Sequence, residues 1–428
     1  MKILYLTHRF PPDHFRGTEV YTFELAREML RRGHQVLVVA VREMKEPGKI
    51  SILRDNYREV PVARICKNLR PDDFEKYFFD PEMDQLFKQL RDDFRPDLIH
   101  ATYFLGGLSL GMSEAALSEK FFVTLTDYSS LCARGQLLNR NLELCTGPRD
   151  GIRCLYCLFD KQWLFSNPQL DHWARERLPA ALSEIKQPRE LGMIRKRNEA
   201  VKRILFSAHS MIFAHPYTRE VFERNGVKAQ NPRQIDFGVD FEPFKTHQKT
   251  WSSRMRIGFI GQILPHKGLD LLVDALAKVK NQDSFELLIY GSLSDPSEKT
   301  YFDSLDLRAI KNQKWFGTFD LSRMNQILED IYLLVVPSRW PENCPLVPKY
   351  ALLTGTRLLI SDAPGILVKA EGEGIDSFGM GNVDMLREKI AALIDSGLWK
   401  TPVAPRRDLV MNISGHAALL DKLYKEAR

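Results

Sequence analysis

The chain has 428 residues, of which 44% are hydrophobic and 27% charged, and its formal net charge is +6. This length exceeds one typical domain core and the balance excludes wholesale disorder, so two folded domains are expected. The positive charge is spread without a dense basic block, which disfavours nucleic acid and favours phosphate-bearing ligands. The first apolar run breaks at His8 and Arg9, and no run reaches the roughly 20 residues that span a bilayer. We therefore expect a cytoplasmic protein with at most peripheral membrane contact.

Strands and helices alternate along the first half of the chain. KILYLT reads as a strand, TEVYTFELAREMLRRG as a helix that ends at Gly33, and QVLVVAV as the next strand. PDLIHA and KFFVTLTD read as two more short strands, which end at the polar residues His100 and Asp127. Alternation of this kind predicts a parallel sheet flanked by helices.

A polar stretch at residues 242–253 separates this half from a second alternation of strands and helices. We therefore predict an α/β chain with an N-terminal domain over 1–245, a cysteine-rich insert at about 128–190, and a C-terminal domain over 246–400. Residues 401–428 are expected to form a C-terminal helix that packs back on the N-terminal domain. Ligands of such doubly wound sheets bind at the carboxyl ends of the strands.

Two loops place glycine at the start of a helix. In FIGQILPHKGLDLL a strand ends at Gly261 and Lys267 precedes a helix, so backbone N–H groups, the helix dipole and one cation can bind an anion. In FRGTEV, Gly17 precedes the first helix, where glycine lets the backbone approach a ligand closely. Neither loop has the three-glycine spacing of a dinucleotide fingerprint, which disfavours a nicotinamide dehydrogenase.

The segment PENCPLVPKY places an acidic residue at another strand end. Glu342 follows an apolar strand, and Asn343 or Cys344 is expected to cap a helix with Pro345 at its first position. The helix N-terminus would then face a diphosphate, and Glu342 a sugar hydroxyl. The backbone N–H groups expected there are those of Leu346 and Val347.

Four of the six cysteines lie close together in sequence: Cys132, Cys145, Cys154 and Cys157. Four thiolates suit a closed, structural zinc site, and an iron–sulfur cluster would use the same residues. Disulfides or free thiols are the alternatives. Because the cluster follows Asp127, we expect it to border the ligand crevice at that strand end.

Six stretches together carry a family pattern: PPDHFRGTEVYTFELAREMLRRGHQVLVV, IDFGVD, IGFIGQILPHKGLDLLVDAL, LLIYG, LLVVPSRWPENCPL and LLTGTRLLISDAPG. In order and spacing they resemble the family 4 glycosyltransferases of the GT-B fold over nearly the whole chain. The resemblance implies two Rossmann-like domains facing a central cleft, with the donor on the C-terminal domain. It implies retaining transfer from a UDP- or GDP-sugar to a glycan or lipid-linked acceptor in cell-surface polysaccharide synthesis at the inner membrane face. No catalytic metal is expected.

The resemblance also assigns residues to roles. Lys267 and Glu342 are the implied catalytic residues, because the lysine stabilises charge on the leaving diphosphate while the glutamate holds the donor sugar. The implied acceptor-side residues are His100, Asp127 and Arg16. The implied donor-binding residues are Gly17, Gly261, Gln262, Lys267, Gly291, Glu342, Asn343, Leu346, Val347 and Tyr350.

Three positions depart from the family pattern. Gln262 stands where an arginine is usual, Thr126 precedes Asp127 where many members have histidine, and Tyr350 replaces a second glutamate. A phenol can make one hydrogen bond to a ribose where a carboxylate accepts from two hydroxyls. Two alternatives therefore stand beside the transferase: a catalytically degenerate relative that binds a nucleotide or glycan, and a nucleotide-sugar isomerase of the same fold.

Overall fold

The computed structural model describes residues 1–46, 48–69, 74–148, 151–159, 189–246, 249–366 and 372–427. The chain forms two compact units: unit 1 is Met1–Asp236 with Ala417–Arg428, and unit 2 is Phe237–His416. The expected boundary at 245 therefore falls inside unit 2. Residues 160–188 of the expected cysteine-rich insert lie outside the described ranges.

Unit 1 is built on one sheet whose strand order is β3-β4-β2-β1-β5-β6-β7-β8. Its central strands are buried on both faces, as expected for parallel strands covered by helices. The strands are β1 Lys2–Leu6, β2 Gln35–Glu43, β3 Ser51–Tyr57, β4 Val60–Lys67, β5 Leu98–Ala101, β6 Phe121–Leu125, β7 Ser210–Phe213 and β8 Pro232–Gln234.

One edge of this sheet departs from the expected parallel pattern. Strands β3 and β4 pair antiparallel, and they are joined by a tight turn in which Arg58 has φ 51°. Most side chains of β3 are exposed or half-buried, as is common for an edge strand. The other strand pairs of unit 1 are parallel, so the fold class stands and the hairpin is an addition to it.

Seven helices are described in unit 1 up to residue 236. The first has the expected apolar face, since Val20, Phe23 and Ala26 are buried, and Gly33 follows it with φ 82°. The helices are α1 Gly17–Arg31, α2 Phe74–Phe78, α3 Pro81–Phe94, α4 Leu110–Ala116, α5 Ile152–Leu158, α6 Arg189–Ser207 and α7 Pro216–Arg224.

Unit 2 has a second sheet, in the order β11-β10-β9-β12-β13-β14, and its strand pairs are parallel. Leu272, Leu287 and Leu359 are among the fully buried residues of its apolar core. The strands are β9 Met255–Ile260, β10 Phe285–Tyr290, β11 Gln313–Trp315, β12 Leu333–Val336, β13 Arg357–Ser361 and β14 Ile375–Phe378. The helices are α8 Leu269–Ala277, α9 Pro296–Asp303, α10 Met324–Asp330, α11 Leu346–Thr354 and α12 Val383–Ser396.

The last helix, α13, spans Ile413–Glu426, so the expected terminal helix begins twelve residues later than 401. Its second half belongs to unit 1, where Asp421 Oδ1 lies 3.1 Å from His34 Nε2. Among the described residues, no helix combines the length and apolar character needed to cross a membrane.

Candidate functional site

The order in which strands are added to the sheet of unit 2 reverses between β9 and β12. From β9 the chain adds β10 and β11 on one side, and it then returns to place β12 on the other side of β9. Such a topological switch opens a crevice at the carboxyl ends of the two strands. Gly261 follows β9 and residues 337–343 follow β12, so the two sequence motifs converge at this switch point.

Lys267 and Glu342 form an ion pair across the switch point of unit 2. Lys267 ends a 3₁₀ turn, Pro265–Lys267, and its Nζ lies 2.7 Å from Glu342 Oε1. Ser338 Oγ donates a hydrogen bond of 2.6 Å to the same carboxylate oxygen. The Lys267 side chain is 20% exposed while that of Glu342 is 6% exposed. The pair therefore joins a buried carboxylate to a cation that a ligand can still reach.

Two glycines in left-handed conformations hold the 337–343 loop. Gly268 has φ 74°, and a Cβ there would lie 1.9 Å from the Pro337 carbonyl oxygen. Gly365 has φ 85°, and its Cβ would lie 1.7 Å from the Glu342 carbonyl oxygen. Only glycine fits at either position without displacing the loop. The backbone that carries Glu342 is thus fixed by close contacts on both sides of the loop.

Trp340, which lies in the same loop as Glu342, contacts the ammonium group of Lys267. The Nζ of Lys267 lies 5.0 Å from the Trp340 ring centroid, and the His266 ring packs edge-on to Trp340 at 5.2 Å. A cation over an aromatic face is stabilised by the ring quadrupole. These contacts keep the ammonium group beside Glu342.

Helix α11 begins one position later than expected. Pro345 occupies the N-cap, with φ −69° and ψ 131°, because its backbone is extended, and Leu346 is the first helical residue. Pro345 itself makes no side-chain cap bond, and because Pro345 occupies the N-cap position, the expectation that Asn343 or Cys344 occupies it is wrong. Leu346 and Val347 still lie in the first turn, where backbone N–H groups have no partner within the helix. The helix start can therefore present donors to an anion.

Tyr350 packs inside unit 2. It is 2% exposed, and its ring stacks on Phe244 with centroids 4.6 Å apart and planes 14° apart. The position expected to face a ribose is thus part of an aromatic stack with the segment that precedes β9.

Gly261, Gln262 and Gly291 lie at the same edge of the sheet. The backbone N–H of Gly261 donates to the carbonyl oxygen of Tyr290 at 3.1 Å, and that of Gly291 donates to the carbonyl oxygen of Gly317 at 3.0 Å. Gln262 is half-buried there. The three residues therefore border the switch point, as the motif order predicted.

Two exposed aromatic residues at this edge belong to none of the motifs identified in the sequence. Phe316 is 41% exposed and stacks on Tyr290, with centroids 4.6 Å apart and planes 4° apart. Trp315 is 42% exposed, and its Nε1 donates to the Gly291 carbonyl at 2.9 Å. The signal that could have found them is an aromatic pair directly after a short edge strand, at a strand end where ligands bind.

The residues expected on the acceptor side do not share one environment. Arg16 is exposed at the start of α1, as is Gly17, which was expected to bind the donor. His100 is fully buried: its Nε2 bonds Thr124 Oγ1 at 2.7 Å and its Nδ1 bonds the Tyr424 hydroxyl. The expectation that His100 faces the acceptor is therefore wrong, because its side chain points into the core beneath α13.

Asp127 follows β6 and is half-buried at the carboxyl edge of the sheet. Its Oδ1 accepts a hydrogen bond of 2.8 Å from the Ser129 backbone N–H, and burial raises the pKa of its carboxyl. Thr126, the residue before it, donates to the Thr102 carbonyl at 3.0 Å. Asp127 is thus placed where an acceptor-side residue was expected.

The four clustered thiols interact with one another. Burial, and after it the neighbouring Cys132, Cys145 and Cys157, together raise the pKa of Cys154 to about 12. Across the described ranges, no group of three or more His, Cys, Asp or Glu side chains is arranged to hold a metal ion. The zinc site, or an iron–sulfur cluster in its place, therefore stays a prediction.

Two family models match the chain, one in each unit. "Glycosyltransferase Family 4" matches residues 15–125, and "Glycosyl transferases group 1" matches residues 243–407. The second match covers the strand ends of unit 2 described above, and the first ends with β6, two residues before Asp127. The chain belongs to the GT-B glycosyltransferases. Its two parallel-sheet units and the motif order at the switch point of unit 2 agree with that family.

Solved structures share the fold of this glycosyltransferase over its whole length. Sucrose-phosphate synthase from Thermosynechococcus elongatus has a TM-score of 0.70 at 15% identity and covers 100% of this chain and 98% of that one. Anabaena HepE in complex with UDP and glucose has a TM-score of 0.66 at 15% identity and covers 99% of each chain. Granule-bound starch synthase 1 of Pisum sativum is 28% identical over 169 residues, which are 38% of this chain and 27% of that protein. The chain thus spans only about a quarter of this curated relative's length.

Removal of one clustered thiol of this glycosyltransferase tests the zinc prediction. The pKa of Cys154 is raised by burial and by its neighbouring thiols, and a bound cation would reverse such a shift by favouring thiolates. We expect purified protein to contain about one zinc per chain and Cys154→Ser to lose it. Elemental analysis by mass spectrometry measures both, with Cys66→Ser as the matched control, because Cys66 lies in β4 outside the cluster. Metal-free native protein that folds normally would contradict the prediction.

Proposed function

We propose that this glycosyltransferase moves a sugar from a UDP- or GDP-sugar to a glycan or lipid-linked acceptor, with retention at the anomeric carbon. The observation that carries the proposal is the Lys267–Glu342 ion pair at the switch point of unit 2. The ligands of two structural relatives support it: HepE was solved with UDP and glucose, and the catalytic domain of starch synthase IV of Arabidopsis thaliana with ADP and acarbose.

The chemistry requires that negative charge be stabilised as the glycosidic bond breaks. The charge grows on the leaving diphosphate, and fixed cations and aligned N–H groups lower the energy of that state. Lys267 supplies the cation, and the first turn of α11 supplies the N–H groups. When a phosphate oxygen takes over part of the lysine's pairing, the Glu342 carboxylate can accept hydrogen bonds from the donor sugar. These groups need no metal for the step, so we expect turnover without any added divalent cation.

Slow hydrolysis of the donor tests retention without knowledge of the acceptor. With a UDP-α-sugar or GDP-α-sugar and water as acceptor, a retaining enzyme first releases the α-anomer of the free sugar. Proton NMR of the anomeric signals at early times measures this, before mutarotation mixes the anomers. Release of the β-anomer first would overturn retention while leaving the transferase proposal intact.

Phe316 is assigned to the base of the nucleotide. Its exposed ring, stacked on Tyr290, lies at the same strand edge as Gly291, and stacking of a base on an aromatic ring contributes about 1–3 kcal/mol. We expect Phe316→Ala to weaken UDP or GDP binding by about 5- to 100-fold. Calorimetric titration measures this. Phe206→Ala is the matched control, because Phe206 is similarly exposed, at 40%, in unit 1. Equal affinity in both variants would remove Phe316 from the donor site.

A degenerate, ligand-binding relative is the second candidate. The observation in its favour is that Tyr350, which stands where a ribose-binding glutamate is usual, is buried against Phe244. Without the carboxylate, the ribose loses a charge-assisted hydrogen bond that is typically worth about 1.5–3 kcal/mol. Nucleotide binding with neither hydrolysis nor transfer would favour this candidate, and conversion between two nucleotide-sugars would favour an isomerase.

We infer peripheral contact with the inner membrane face, in keeping with a lipid-linked acceptor for cell-surface polysaccharide. Support comes from unit 1, where Phe15 is 38% exposed and Leu53 39% exposed, and where the β3–β4 hairpin carries the exposed Arg54 and Arg58. Apolar and basic side chains together favour an anionic lipid surface. Sedimentation with vesicles containing anionic lipid tests this, with neutral vesicles as control. Equal recovery with both, or with neither, would contradict it.

A further inference from the structure

Unit 1 has its own topological switch point, between β1 and β5. The chain places β2 on one side of β1 and later returns to place β5 on the other side. His8 follows β1 and Tyr103 follows β5, and their rings meet with centroids 4.1 Å apart. A ligand crevice is expected at such a point, and these two rings border it.

Behind His8 lies the carboxyl group of Glu19, in the first turn of α1. Glu19 is fully buried, and its Oε1 lies 3.4 Å from His8 Nε2. Neither oxygen of Glu19, nor Nδ1 of His8, makes a hydrogen bond to another residue within the described part of the chain. Buried polar atoms are rarely left without a partner in native proteins, and such atoms indicate a water or ligand. Three such atoms on the adjoining side chains of Glu19 and His8 therefore indicate a binding position for water or a ligand here.

The charge state of the pair follows from burial and from its neighbours. Burial raises the pKa of Glu19 to about 7, and it lowers the pKa of His8 well below its usual value. The charged groups that act on the pair are Arg9, Arg16, His14 and Asp127. Near neutral pH, His8 is therefore uncharged, while Glu19 gains or loses one proton.

We propose that Glu19 is a positioning residue that sets the tautomer of His8, so that His8 Nδ1 is presented to a hydroxyl group of the acceptor sugar. When Glu19 is protonated, its O–H donates to Nε2, the ring proton stays on Nδ1, and Nδ1 donates to the ligand. When Glu19 is ionised, it accepts from Nε2–H, and Nδ1 becomes an acceptor. A hydroxyl group can both accept and donate, whereas phosphate and carboxylate oxygens only accept.

This inference rests on the proposed function, because it names the acceptor group that unit 1 recognises. It adds a chemical requirement that the donor site does not impose: the group at this point is a sugar hydroxyl. Glu19 acts only through His8, since its own carboxyl is fully buried.

The tautomer can be observed directly by long-range ¹H–¹⁵N NMR of the full chain labelled with ¹⁵N-histidine. We expect the His8 signals, identified by their loss in His8→Phe, to change from the Nδ1–H to the Nε2–H tautomer between about pH 5.5 and about 8.5. In Glu19→Gln, which keeps the shape of the side chain, the change should vanish. Glu24→Gln, a buried glutamate of the same helix, is the matched control and should behave as the wild type.

Two results would overturn the inference: a wild-type His8 tautomer that is constant over this range, or a Glu19→Gln variant that titrates like the wild type. Calorimetric titration with UDP and GDP on the same samples separates this outcome from failure of the proposed function. Nucleotide binding with no His8 transition would reject only the role of Glu19. A His8 transition with no nucleotide binding would reject the proposed donor chemistry.

Discussion

Replacing Lys267 by alanine is expected to weaken the binding of a nucleoside diphosphate by about 10- to 100-fold, because hydrogen bonds to charged groups are typically worth about 1.5–3 kcal/mol. Lys267 is 20% exposed and paired with a buried carboxylate, so it is a cation that a diphosphate at the switch point can reach. Turnover should fall further, since charge on the leaving group is largest in the transition state. Calorimetric titration and assays of donor hydrolysis measure the two effects.

The variant also leaves Glu342 without its cation, and this must be separated from the loss of binding. A buried charge without a partner is destabilising, so Lys267→Ala is expected to lower stability as well. The double variant Lys267→Ala/Glu342→Gln removes both charges and should recover stability but not binding. Lys280→Ala, at an exposed position of unit 2, is the matched control. Unchanged nucleotide affinity in Lys267→Ala would show that the donor site lies elsewhere.

Gly365→Ala is expected to have the second large effect, through the backbone that carries Glu342. The new Cβ would lie 1.7 Å from the Glu342 carbonyl oxygen, and the residue has φ 85°. Left-handed strain costs about 1–2 kcal/mol and overpacking about 1–3 kcal/mol, so the free energy of unfolding should fall by about 2–5 kcal/mol. The 337–343 loop must also move, so we expect turnover to be lost in whatever protein stays folded.

Gly381→Ala separates the cost of the left-handed backbone conformation from the cost of the steric clash with Glu342. Gly381 has φ 79°, and a Cβ there would meet nothing within 4 Å. Its replacement should therefore cost only the strain, about 1–2 kcal/mol, and leave turnover intact. Urea unfolding and donor hydrolysis of both variants provide the comparison. Equal losses of stability and of activity would show that contact with Glu342 is not what requires glycine at 365.

The meeting of the Lys267 and Glu342 loops at one edge of the sheet could be predicted from sequence, because strand ends meet by topology. Gly261 and Glu342 follow β9 and β12, which lie side by side, so alternation of apolar runs and loops was sufficient to bring Lys267 to Glu342. No side-chain periodicity was needed. The exact start of α11 was missed because a proline at the N-cap and one at the first helical position read alike in sequence.

The surroundings of the residues expected on the acceptor side were predicted less well. His100 lies in a short strand buried on both faces, and such a strand gives no signal of which way a polar side chain points. Its partner, Tyr424, lies 324 residues away on α13. The burial of Tyr350 was missed for the same reason, because its ring stacks on Phe244, a residue of a distant segment that no local sequence pattern connects to it. The β3–β4 hairpin was missed because its edge strand is too exposed to show an apolar run.

Binding of nucleoside diphosphates to the wild-type protein tests the central claim most directly. Calorimetric titration with UDP, GDP and their sugars should show one site per chain for at least one nucleotide, with affinity that depends on Lys267. This result would place the donor at the Lys267–Glu342 pair of unit 2. Absence of heat for every nucleotide, in protein that is folded and monodisperse, would contradict the account.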